Sequence, residues 1–76
     1  MVQQAKRTAE TGVANEHYNL VSIMYHSLQS AAVCELYSQD AEQAGDQELM
    51  NFFKQVKEQA SHQAEQAKKL MFKRMS

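Results

Sequence analysis

Residues 41–50 read AEQAGDQELM, and the Gly45-Asp46 pair at the centre of this stretch decides the fold. A glycine after a run of helix formers takes the left-handed backbone conformation that ends a helix. An aspartate immediately after it can accept hydrogen bonds from the first free N–H groups of the next helix. The stretch therefore predicts a tight turn at 44–46 between two helices. A joint this short makes those helices antiparallel neighbours.

The composition outward from the turn agrees. No proline occurs among the 76 residues, and the only other glycine is Gly12. Gln, Glu, Ala, Lys, Leu and Met dominate between the glycines. Upstream, Val21, Met24, Tyr25, Leu28, Ala31, Ala32 and Leu36 recur at steps of three and four. Downstream, Leu49, Phe53, Val56, Ala60, Ala64, Ala67 and Met71 form a cleaner stripe. Asn15 is placed to cap the first helix. The predicted organisation is a flexible arm over 1–14 and a two-helix hairpin domain over 15–76.

With Leu20 added, the apolar side of the first helix spans nearly half its circumference, more than one partner helix covers. The expected fold is all-α: a hairpin assembling as a homodimeric four-helix bundle, or a higher homo-oligomer. Ala31 and Ala32 are expected to oppose Ala60 and Ala64 at close approach, with Phe52, Phe53 and Tyr25 supplying bulk. A chain this short also buries little apolar surface by itself.

Charge narrows the function classes. Eight basic and nine acidic residues give a net charge of -1, which argues against nucleic-acid binding. The distribution is uneven: residues 1–45 carry a net -3 and residues 46–76 a net +2. One cysteine, Cys34, excludes an internal disulfide and fits a reducing, cytoplasmic setting. The start, MVQQAKRTAE, has no apolar run behind its basic pair and is not read as a secretory signal. The apolar runs are too short for a transmembrane segment.

Several polar residues are candidates for chemistry. Glu35 interrupts the apolar side of the first helix, as do His17 and Glu42. A carboxylate there requires a lysine partner, a metal or contact with water. Glu58 and His62, four residues apart, share a helix face as metal ligands would. Both are displaced from the apolar stripe, so a solvated surface is the simpler reading. His26 falls on a polar face, and Cys34 is expected to be a small filler. No glycine-rich elbow accompanies any serine. Glu35, Glu58 and His62 are the metal candidates; no cofactor is expected otherwise.

Residues 36–64, LYSQDAEQAGDQELMNFFKQVKEQASHQA, resemble the first hairpin of the ferritin-like superfamily, in its rubrerythrin branch. Ala41, Gly45, Leu49, Phe53 and Ala64 carry the resemblance. It implies a half-bundle that dimerises. The family's second-helix Glu-x-x-His pair is followed directly by an alanine. Matching that alanine to Ala64 puts the pair on Ala60 and Gln63, and the first-helix carboxylate near Ser27. The resemblance thus implies the family's packing without its diiron ligands.

The preferred expectation is a non-enzymatic protein acting through homo-oligomerisation and contact with a protein partner. One alternative is a divergent iron-binding or oxidoreductase half-ferritin, with Glu35, Glu58 or His62 converging between subunits. Another is a peripheral membrane anchor over 68–75, KKLMFKRM, where basic residues surround Leu70, Met71, Phe72 and Met75.

Overall fold

The computed structural model describes residues 15–75. They form two helices, α1 (Asn15–Gln43) and α2 (Gln47–Met75), each of 29 residues and packed along their length as an antiparallel hairpin. The expected arm over 1–14 lies outside the described residues. Asn15, expected to cap α1, is already helical.

The turn has the predicted chemistry. Gly45 takes a φ of 73°. Its N–H donates to the Glu42 carbonyl at 3.0 Å, and the Asp46 N–H reaches the Ala41 carbonyl at 2.9 Å. These are the two bonds of a Schellman ending, which satisfy carbonyls the helix would otherwise leave open. Asp46 then caps α2: its Oδ1 accepts from the Leu49 N–H at 3.1 Å. Two residues thus stop one helix and start the next.

The seam between the helices departs from expectation. Ser27, Ala31, Cys34, Ser38 and Ala41 are buried on α1, and Ala64 and Ala67 on α2. The steps on α1 alternate four and three, and half-buried Met24, Leu20 and His17 continue them upstream. That seven-residue alternation keeps one narrow line of each helix against the other. The larger apolar residues assigned to this face are elsewhere: Val21, Tyr25, Leu28 and Leu36 are exposed. Ala32, expected to oppose Ala60 and Ala64, is exposed as well, whereas Ala31 is buried.

The reason lies in size. Ser, Ala and Cys let two helix backbones approach closely, and the apolar residues of α1 are spread over more than one face, so several faces compete for the contact. Burying a serine needs a bond for its hydroxyl. Ser38 makes one, donating from Oγ to the Glu35 carbonyl at 3.0 Å. Phe53, half-buried, does supply bulk, with its ring 5.5 Å from that of Tyr37. Phe52 and Tyr25, expected to do the same, are more than half exposed.

Candidate interaction face

Once the seam is fixed, the seven-residue spacing fixes what stands beside it. Ile23, Ser30 and Tyr37 on α1 lie on one side, one heptad apart. Leu49, Val56, Gln63 and Leu70 on α2 form the matching row. Between the two rows runs a groove with three hollows. The one at the turn, about 400 Å³, is lined by Tyr37, Ala41, Leu49 and Phe53 among others. The central one, about 340 Å³, lies between Ile23, Ser27 and Ser30 of α1 and Val56, Ala60 and Gln63 of α2. The third, about 300 Å³, is at the open end, where Leu20 and Ile23 face Leu70. The groove is most apolar at the turn, where Asp40 alone in the lining carries a charge; His26 and Gln59 join the lining in the middle, and Glu16, Asn19 and Arg74 join it at the open end.

Ser27, Ala60 and Gln63, the positions at which the resemblance puts metal ligands, all line the central hollow. A hydroxyl, a methyl and an amide supply no anionic ligand for a carboxylate-bridged centre. Among the described residues, no group of three or more His, Cys, Asp or Glu side chains is placed to hold a metal ion. Glu58 and His62 are exposed on the outer face of α2, displaced from the seam.

Glu35 finds a lysine. Its Oε1 accepts from Lys57 Nζ of α2 at 2.6 Å, with the Lys57 and Glu35 side chains 43% and 47% exposed. Gln39 Nε2 donates to the other oxygen at 3.4 Å. The Lys57 hydrogen bond and charge, helped by Gln39, hold the Glu35 carboxyl below its ordinary range. The same bond and charge raise Lys57 above its own. By helical position Lys57, seven residues before Ala64, stands on the seam line, and Glu35 stands on the seam's edge away from the groove, in one row with Val21 and Leu28.

His17 is half-buried along the seam, Glu42 and His26 are exposed, and Cys34 is buried with a free thiol. In residues 68–75, Met71 is half-buried on the seam line and Leu70 lines the open-end hollow, while Phe72 and Met75 are exposed. Neither helix is long and apolar enough to cross a membrane. The sequence reading placed Leu49 and Val56 in the α2 stripe without separating the groove row from the seam, although the spacing 49, 56, 63, 70 carries that row's signal. Gln63 breaks that row's apolar character, so a search for apolar residues alone passes over it.

Compared with known proteins, the chain matches no family model, no curated protein and no solved structure.

Proposed function

We propose that this chain is a non-enzymatic assembly module, in which two hairpins bury their grooved sides against each other as a four-helix bundle of ferritin-like architecture. One observation carries the reading: no large side chain among the described residues is fully buried in the single hairpin. Burying a Leu, Ile or Phe contributes about 1.5–3 kcal/mol, and the hairpin leaves most of that contribution unused. Ile23, Tyr37, Leu49 and Leu70 border the groove and are all 43% exposed or more. A second copy laid across them supplies the missing core, and the polar side chains of His26, Ser30, Gln59 and Gln63 fix its register by hydrogen bonding. The reading includes the cytoplasmic setting, which suits a buried free thiol, and the ferritin-like kinship without metal chemistry.

Sedimentation across a wide concentration range tests it. Association is expected in the wild type, with dissociation promoted by Ile23→Glu, which sets a charge between two of the hollows. A wild-type chain that stays monomeric throughout overturns the proposal. Metal analysis of protein purified without chelator checks the non-metal part: stoichiometric iron lost with Glu35→Ala or His62→Ala would replace it with the iron-binding alternative.

A further inference from the structure

The groove accounts for one side of α1 and leaves another apolar face uncovered. Val21, Tyr25, Leu28 and Leu36 are 45%, 60%, 56% and 60% exposed, and exposed Ala32 lies among them. At 3.6 residues per turn this stripe is roughly 150° round α1 from Ile23, Ser30 and Tyr37. A partner seated in the groove therefore cannot reach it. Residues 18–34 contain no Asp, Glu, Lys or Arg, so the stripe is uncharged as far as Glu35, which stands at its edge with its charge paired to Lys57.

We infer that this stripe is a second interface, on which α1 of another copy packs antiparallel about a twofold axis close to Leu28. The inference goes beyond the grooved-side bundle and gives each chain two separate self-contacts, which carries assembly past a dimer.

Two features select this occupant and this orientation. The first is shape. Reversing the stripe upon itself about a point just after Leu28 sets Val21 opposite Leu36 of the other copy. It also sets Tyr25 opposite Ala32, and Leu28 beside Leu28. The largest side chain of the stripe meets the smallest, as close helix packing requires. In the parallel orientation Tyr25 meets Tyr25 and Ala32 meets Ala32, leaving a bulge beside a gap.

The second is charge. The turn end of the hairpin, residues 36–53, carries Asp40, Glu42, Asp46 and Glu48 with no basic residue. The open end carries Lys68, Lys69, Lys73 and Arg74 against Glu16 and Glu65, a net of +2. Antiparallel packing about Leu28 sets each acidic turn end beside the other copy's basic open end. Parallel packing sets like beside like, which opposes the encounter. One isologous contact thus satisfies shape and charge together.

Paired cysteines test it in the full-length protein with Cys34→Ser, a change to a residue type the seam already accommodates. Val21→Cys and Leu36→Cys chains are mixed and mildly oxidised. The mixed disulfide, joining position 21 of one chain to position 36 of the other, is expected as the dominant product. Like positions lie about 22 Å apart along the antiparallel helices, too far for a bond. Leu28→Glu, with helicity checked by circular dichroism, should lose any species larger than a dimer in sedimentation.

Assemblies larger than a dimer that give the mixed disulfide uphold both interfaces. A dimer that gives it upholds the stripe and overturns the grooved-side bundle. A dimer without it overturns the stripe and leaves the bundle standing. Like-with-like disulfides as the dominant product overturn the antiparallel orientation. A monomer overturns both interfaces, and a monomer that co-floats with lipid vesicles assigns the stripe to a bilayer.

Discussion

Glu35 is the residue whose surroundings make the sharpest prediction. Its carboxyl is held below the ordinary range by Lys57, so the charged form belongs to the folded state. The stabilisation is fully present above the unfolded pKa and disappears as pH falls through the lowered folded value, on the acid side of the ordinary glutamate range. Lys57 is the mirror case: raised in the fold, it stabilises below its unfolded pKa and stops doing so as pH rises through the folded one. Thermal melts of Glu35→Gln should accordingly lose part of the wild type's acid-limb dependence. Because both side chains are nearly half exposed, the difference should shrink in 1 M salt, where screening reaches about 3 Å. An unchanged acid limb in Glu35→Gln would show that the pair contributes nothing to folding. The position of Glu35 on an apolar side was legible in the sequence, and so was its need for a partner. The identity of that partner was not, because Lys57 is 22 residues away and only the register of the hairpin brings the two together.

At the scale of the helices, the turn is where sequence and structure agree most closely, since its signals are local. Gly45 and Asp46 act through backbone conformation and a hydrogen bond three residues on, both readable without knowing what packs where. Asp46→Ala should destabilise the fold by about 1 kcal/mol, measured by chemical denaturation, as loss of an N-cap does. The seam was less legible for a physical reason. Periodicity identifies a face only when one face is apolar, and α1 offers several. Ser27, Cys34 and Ser38 won the contact by being small, a property that a search for large apolar residues overlooks. The seam makes its own prediction at Ala64, a small residue 4% exposed between the two helices. Ala64→Leu should cost about 1–3 kcal/mol through overpacking. A neutral outcome in equilibrium unfolding would mean that the helices separate more freely than their small residues imply.

For the molecule as a whole, folding and association are expected to be one process. A hairpin whose buried residues are alanine, serine and cysteine has little to hold it as a monomer, and anything that binds only the folded form raises its stability by mass action. The melting temperature should therefore rise with protein concentration, and calorimetry over a wide concentration range would read the shift directly. A concentration-independent midpoint would mean that the hairpin stands alone. The all-helical hairpin was legible from the sequence, as was the excess of apolar surface on α1. Which surfaces remain outside the hairpin could be read only once the seam was located, because each helix position is defined relative to that line.

The Schellman turn also governs connectivity. Nothing lies within 4 Å of where a Cβ on Gly45 would stand, so handedness, and not crowding, reserves the position for glycine. In Gly45→Ala the left-handed conformation costs about 1–2 kcal/mol, while a straight helix through 43–47 costs alanine nothing. The chain then runs on as a single rod and receives its second helix from a neighbour in exchanged form. Small-angle scattering should show a particle close to twice as long as the hairpin. The glycine thus determines whether α2 is paired with the α1 of its own chain or with another's.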